Sequence, residues 1–143
     1  NLERLRHNLT LNSFGDRVRV VAAAVNIASQ PVRFLVGPSG AMGKAEGSAG
    51  RSLAYAETLE VPGISLDDFV YRDDNPSPDV IKMDIEGGEI EVLKRLLEET
   101  SAWSAKALLL ERHDFVGSED LDLLLGDLRA AKGSSLEVFD TWP

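Results

Sequence analysis

The spacing of apolar side chains changes around residue 86, and this change predicts a strand, a tight turn and a helix. The strand is a short apolar run rich in β-branched residues, which is typical of a strand buried on both faces of a parallel sheet. Its members are Val80, Ile81, Met83 and Ile85. After Gly88 the apolar positions recur three or four residues apart, which is helical spacing. They are Ile90, Leu93 and Leu97, with Val92 and Leu96 beside them.

The same patterns along the rest of the chain predict an α/β fold. The predicted helices are an opening one with Leu2, Leu5 and Leu9, a short one after Ser65, and one from Ser118 to Lys132. The other predicted strands cover residues 18–24, 31–36, 57–61, 107–111 and 136–139. Strands separated by helices need crossover connections, so we expect a largely parallel sheet with helices on its faces. Gly15 is expected to end the first helix in a left-handed conformation.

Residues 37–52 are rich in Gly, Ser and Ala and show almost no apolar periodicity, which predicts a long flexible loop. The segment contains a Gly-Lys pair, Gly43 and Lys44, and therefore invites comparison with a phosphate-binding loop. Five residues separate Gly37 from this pair, whereas a P-loop has four, and Ala45 stands where the magnesium-binding hydroxyl would be. We therefore interpret the segment as a substrate-side lid or a disordered loop.

Length and composition are those of one globular domain. The chain has 143 residues, of which 43% are hydrophobic and 27% charged, and its net charge is −9. This acidity argues against nucleic acid or an anionic membrane as a partner. There is no Cys, which excludes disulfides and thiolate metal sites. No apolar run approaches the roughly 20 residues of a membrane span and no signal peptide is visible, so a cytoplasmic location is expected.

Two acids lie at the carboxyl end of the strand before the turn. Ligands of open α/β sheets bind at this edge, so Asp84 and Glu86 are candidate catalytic residues. The alternative is that they cap the following helix and complement its dipole. Glu111 and His113 end the next strand and could converge with them. Two carboxylates and an imidazole could hold a divalent cation, but one His is thin support, and we assign no metal ligands.

The neighbours of these acids have both structural and functional interpretations. Gly87 and Gly88 allow either a simple tight turn or the close approach of a ligand to the helix N-terminus. Lys82 interrupts the apolar strand, and we expect it to pair with Glu111 rather than to act in catalysis. His113 is a candidate general base, although an ordinary strand-end histidine is the common alternative.

The segment from Asp79 to Glu89, followed by Glu91, Val92, Leu93 and Lys94, resembles the signature of the FkbM-type family of S-adenosylmethionine-dependent methyltransferases. Residues 8–25 and 108–113 resemble neighbouring parts of that family. The resemblance implies a Rossmann-like class I methyltransferase fold with helices on both faces of the sheet. It also implies O-methylation of a small-molecule or sugar hydroxyl, with S-adenosylmethionine as cofactor. Ala23, Ala24, Val25 and Asp84 are the cofactor-binding residues that it implies.

The glycine-rich turn and the acid that hold the cofactor in such enzymes are not found in the chain. By resemblance they would precede Asn1, so we expect residues 1–143 to be the C-terminal two-thirds of one methyltransferase domain, lacking its first two strands. We expect this chain alone to bind S-adenosylmethionine poorly, to be inactive and, because sheet edges are exposed, to form homo-oligomers.

Two other functions stay open. The chain could be a non-catalytic α/β module that binds a partner through the Gly-rich loop and its acidic surface. It could also be a metal-dependent hydrolase that uses Asp84, Glu86 and His113. The hydrolase would lose activity to a chelator and would work without a methyl donor.

Overall fold

The computed structural model describes residues 1–38, 43–50, 52–99, 104–113, 118–132 and 137–140. The helices are α1 (Leu2–Leu11), α2 (Leu66–Tyr71), α3 (Glu89–Glu98) and α4 (Ser118–Lys132), with a 3₁₀ turn at Gly15–Arg17. The strands are β1 (Ala24–Val25), β2 (Val32–Val36), β3 (Lys44–Ala45), β4 (Glu57–Val61), β5 (Gly63–Ile64), β6 (Val80–Met83), β7 (Ala107–Leu110) and β8 (Glu137–Asp140). Within these residues, no helix combines the length and the apolar character needed to cross a membrane.

The predicted parallel sheet is present as β6, β7 and β8, in that order. In its register Ile81 lies beside Leu108, and Met83 beside Leu110. Residues two apart on a strand point to the same side, so these four side chains share one face of the sheet. Helices α3 and α4 pack on that face. The buried cluster consists of Met83, Val92, Leu93, Leu96, Ala105, Leu108, Leu110, Leu121, Leu124, Leu125 and Leu128. The core is therefore built where the sequence shows its clearest periodicity.

The other face of β6 differs from the expectation. Val80 and Lys82 are exposed, and β6 pairs only with β7 among the described strands. The prediction of a strand buried on both faces is therefore wrong for β6, which is an edge strand here. The helices of the buried cluster lie on one face of this sheet rather than on both.

The first half of the chain is mainly antiparallel, which corrects the expectation of a largely parallel sheet. β2 pairs antiparallel with β3 on one side and with β4 on the other. The connection between β2 and β4 is long. It needs no helical crossover, because antiparallel strands can be joined without one. The described part of the 37–52 loop thus contributes β3 to a sheet.

Two local predictions near the N-terminus are also corrected. The strand expected over 18–24 is reduced to β1, which pairs in parallel with β5. Val18 and Val21 stay exposed because no described strand lies beside them. The left-handed residue after α1 is Ser13 (φ 56°) rather than Gly15, which instead opens the 3₁₀ turn.

Helix α2 confirms its predicted cap and is joined to α3 by an ion pair. The Ser65 hydroxyl accepts a hydrogen bond from Asp68 N (3.3 Å). Asp67 accepts one from the Arg95 guanidinium at 3.0 Å. Burial alone would raise the pKa of Asp67, but the hydrogen bonds from Arg95 and Ser65 outweigh it, and the pKa is lowered below 3.8.

Candidate active site

The turn between β6 and α3 is held by a buried carboxylate. Glu89 is 1% exposed, and its two oxygens accept hydrogen bonds from Ile85 N (3.2 Å) and Gly87 N (2.8 Å). Glu86 and Gly87 both have a positive φ, at 56° and 107°. The strand conformation therefore ends before Glu86. A strand that continued would have placed the Glu86 side chain on the same side as Asp84, because residues two apart on a strand share one face. A left-handed turn brings the Glu86 carboxylate to the same side instead.

The structure brings the three candidate catalytic residues together. Asp84, Glu86 and His113 each offer a donor atom, and these atoms all lie within 4.8 Å of one another. His113 Nε2 lies 3.8 Å from Asp84 Oδ1 and 3.8 Å from Glu86 Oε1. Its Nδ1 faces Glu89 Oε1 at 3.4 Å. The imidazole thus lies between the two candidate carboxylates and the buried Glu89; Asp84, Glu86, His113 and Glu89 are called the carboxylate–imidazole cluster below.

Helix capping does not account for Asp84 and Glu86. Helix α3 begins after Gly88, with no side-chain hydrogen bond at its cap. The carboxylate that accepts hydrogen bonds from N–H groups of the turn is that of Glu89, not that of Asp84 or Glu86. Asp84 and Glu86 therefore keep oxygen atoms directed toward His113.

Lys82 lies beside the cluster and behaves as the sequence predicts. Its ammonium is 3.7 Å from Glu111 Oε2, which confirms the expected pair, and 3.2 Å from Asp84 Oδ2. Because Lys82 takes Oδ2, the Oδ1 atom of Asp84 is the one that faces His113. Glu111 contacts Lys82 but is not part of the group Asp84, Glu86 and His113, whose donor atoms lie within 4.8 Å of one another.

A pocket of about 370 Å³ connects the cluster with the residues that were assigned to the cofactor. Ala23, Ala24 and Val25 line one part of it, and Asp84 and Glu86 line another. The remaining lining residues are Asn1, Phe34, Gly43, Ala45, Ile85 and Gly88. Small and apolar side chains thus form most of its wall, with the two carboxylates at one side. Its volume is at the lower end of the range usual for small-molecule sites.

The described part of the Gly-rich segment, residues 43–50, is packed on the turn of the site. Ala49 N donates a hydrogen bond to Gly87 O at 3.1 Å. A Cβ placed on Gly87 would lie 2.6 Å from Gly50 Cα and would overlap Gly50 N. Lys44 Nζ donates hydrogen bonds to Ser48 O and Gly50 O, both at 3.0 Å, which closes the segment on itself. Backbone therefore meets backbone at Gly87, where a side chain has no space.

Sequence reasoning gave Glu89 no role, although it lies in the segment that carried the family resemblance. A signal was present: Glu89 comes directly after two glycines, at the first position of an amphipathic helix, where an acid can bond to the N–H groups of the preceding turn. What the sequence could not show is that His113, three residues after β7, lies beside this carboxylate.

The fold is a mixed α/β structure compatible with a methyltransferase, and its pocket lies at the carboxyl end of β6. A comparison with protein-family models matches residues 1–131 to the Methyltransferase FkbM domain. The chain therefore belongs to the FkbM methyltransferase family, as the resemblance indicated, and this membership indicates methyl transfer as its activity. Comparisons with curated proteins and with solved structures each give no match.

Proposed function

We propose that the protein is an S-adenosylmethionine-dependent methyltransferase that methylates a hydroxyl of a small molecule or a sugar. The observation that carries the proposal is the single pocket that joins Ala23, Ala24 and Val25 with Asp84 and Glu86. Family membership supplies the reaction class. The parallel order of β6, β7 and β8, with α3 and α4 packed on them, supports a Rossmann-like methyltransferase sheet.

The pocket suits the chemistry of the proposed cofactor. The apolar wall at Ala24 and Val25 can lie against an aromatic base, and the carboxylate of Asp84 complements a positively charged ligand group. These residues would hold S-adenosylmethionine, which supplies an electrophilic methyl group when bound. The backbone around Ala24 is fixed, because Ala24 N donates a hydrogen bond to Pro62 O at 2.8 Å.

The chain's own residues then have two tasks, which are to orient the acceptor hydroxyl and to promote loss of its proton. Methyl transfer to oxygen is an in-line displacement, so positioning accounts for a large part of its rate. Asp84 Oδ1 and Glu86 Oε1 give the pocket a negative side that attracts a hydroxyl hydrogen. The imidazole of His113 lies between these two oxygens and the buried Glu89 carboxylate. The acceptor proton passes to this group, with Nε2 of His113 as the candidate general base.

The test uses the natural protein, methyl-labelled S-adenosylmethionine and a panel of sugars and small hydroxyl compounds. Asp84→Asn should lower turnover by at least tenfold while leaving the melting temperature unchanged, because it removes a charge from a partly exposed group. Asp79→Asn, at the opposite end of β6, is the matched control and should keep both values. Equal turnover of Asp84→Asn and the unsubstituted protein would refute the role of Asp84.

The hydrolase hypothesis has one observation in its favour, the clustering of Asp84, Glu86 and His113. It predicts bond cleavage that proceeds without S-adenosylmethionine and stops with a chelator. Running each candidate substrate with and without the methyl donor separates the two functions. Product formed equally in both reactions would favour the hydrolase and count against methyl transfer.

A further inference from the structure

We propose that Glu89 is a positioning residue of the candidate active site. Its buried carboxylate holds the turn that carries Glu86 and, at the same time, the imidazole ring of His113. Glu89 does not line the pocket that the described residues form, so it acts through these neighbours. Its effect on turnover rests on the proposed function, whereas its contacts can be tested without a methyl donor.

The burial of Glu89 is the first observation. The residue is 1% exposed, and a carboxylate that has lost its water is costly to keep unless other groups bond to it. Oε1 accepts a hydrogen bond from Ile85 N at 3.2 Å, and Oε2 accepts one from Gly87 N at 2.8 Å. Each oxygen therefore has its own backbone donor, and the carboxylate is held in one orientation.

These two backbone donors lie on either side of Glu86. Glu86 has a φ of 56°, a left-handed conformation that a residue with a side chain keeps only where its surroundings enforce it. Hydrogen bonds from the N–H groups directly before and directly after Glu86 supply that constraint. Ile85 also follows Asp84 directly, so the same bonds fix the piece of chain on which both candidate carboxylates stand.

The contact with His113 is independent of the turn, because it comes from the end of the neighbouring strand. His113 follows β7 by three residues, and its side chain is 6% exposed. Its Nδ1 lies 3.4 Å from Glu89 Oε1. A lone pair on Nδ1 would be repelled by this oxygen, whereas an N–H would be attracted, so we assign a proton to Nδ1. A carboxylate beside one ring nitrogen sets the orientation of the whole imidazole.

Together the two sets of contacts give Glu89 control over the geometry of all three candidate catalytic groups. With Nδ1 toward Glu89, the opposite edge of the ring faces Asp84 Oδ1 and Glu86 Oε1, each 3.8 Å from Nε2. Orientation supplies a large part of the rate of a displacement, and a shift of about 1 Å can cost about 100-fold. A change at Glu89 is therefore expected to slow methyl transfer although this residue does not line the pocket.

Glu89→Gln is the informative substitution, because it keeps the size of the side chain. A carboxamide has one acceptor oxygen, and its NH₂ group only donates. Since the two backbone donors bond to different oxygens, the NH₂ group would have to face one of them. Ser65→Ala is the matched control. Ser65 is the other buried polar residue in the described part of the chain, and its hydroxyl also accepts a backbone N–H, that of Asp68.

The first measurement is ¹⁵N nuclear magnetic resonance of the imidazole rings at alkaline pH, without a methyl donor. The chain has two histidines, and His7 is exposed on α1, so it supplies the reference for an unrestrained ring. His7→Gln assigns the signals. In the unsubstituted protein and in Ser65→Ala, we expect the Nδ1 signal of His113 at the position of a protonated nitrogen. In Glu89→Gln it should move toward the Nδ1 position of His7.

The second measurement is steady-state methyl transfer. Glu89→Gln should lower kcat at least tenfold and change KM for S-adenosylmethionine less than about threefold, because the pocket wall is kept and the placement of the catalytic groups is lost. Ser65→Ala should keep both values. Circular dichroism melting of each variant ensures that a loss of folded protein is not counted as a loss of turnover.

An Nδ1 signal typical of an unprotonated nitrogen at His113 of the unsubstituted protein would overturn the inference, and this outcome decides even if Glu89→Gln does not fold. An Nδ1 signal that Glu89→Gln leaves unchanged, or equal kcat for folded Glu89→Gln and Ser65→Ala, would overturn it as well. If the unsubstituted protein transfers no methyl group, the proposed function fails by itself, and the resonance measurement decides the role of Glu89.

Discussion

Gly87→Ala is expected to destabilise the chain and the site together, because Gly87 combines a left-handed backbone with a backbone neighbour. Its φ is 107°, which an alanine adopts at a cost of roughly 1 to 2 kcal/mol. The added Cβ would also lie 2.6 Å from Gly50 Cα, so the 43–50 segment must move away. That movement stretches the hydrogen bond from Ala49 N to Gly87 O, which contributes about 1 kcal/mol. We expect a total loss of about 2 to 4 kcal/mol.

Gly47→Ala is the control that separates the two effects. Gly47 also has a positive φ, at 86°, but a Cβ there would meet nothing within 4 Å. It should therefore show only the backbone cost of roughly 1 to 2 kcal/mol. Urea unfolding followed by circular dichroism measures both variants under the same conditions. If Gly87→Ala and Gly47→Ala lose the same stability, the packing of the 43–50 segment on Gly87 is not what the structure indicates.

Three further predictions concern the scaffold. As pH falls below about 4 and through the lowered pKa of Asp67, the stabilising pair with Arg95 is lost. The urea midpoints of the unsubstituted protein and of Asp67→Asn should therefore differ at pH 6 and approach each other as the pH falls further below about 4; a constant difference would contradict this. Leu108→Ala should destabilise by about 2 to 5 kcal/mol, whereas Leu123→Ala, at a position 70% exposed, should change urea unfolding by less than about 1 kcal/mol. Gly126→Ala should stabilise α4 by up to about 1 kcal/mol, since a Cβ there meets nothing, and a lower melting temperature would refute this.

The second half of the fold could be predicted from the sequence because its signals are local. The change of apolar spacing at residue 86 gave β6, the turn and α3 within a few residues of their bounds. The leucines of α4 and the run before Glu111 were equally clear, and both belong to the buried cluster. Periodicity reports which face of an element is buried, and here the buried faces meet one another.

The first half was predicted less well because strand pairing is not local. Nothing in the residues of β2 states that its partners are β3 and β4, or that both run antiparallel to it. Val18 and Val21 have strong strand propensity but stay outside any strand, since propensity measures fit to a neighbouring strand and no strand of the described residues lies there.

The site was predictable in its residues but not in its construction. Asp84, Glu86 and His113 follow the ends of two strands, and parallel neighbours bring such ends together. The roles assigned to them stay predictions. The position of the buried Glu89 behind His113 depends on a contact between residues far apart in sequence. The left-handed turn that orients Glu86 depends on backbone angles that the residue types do not indicate.

The φ of 56° at Glu86 has a consequence for anyone who redesigns this chain. Glycine is the residue that tolerates this backbone angle best, so a search for greater heat resistance would suggest Glu86→Gly. That exchange would relax the bend and remove an acidic side chain from the rim of the pocket. At this position the backbone angle favours glycine, whereas the proposed site needs the carboxylate, so a screen for thermostability alone would remove a proposed site residue.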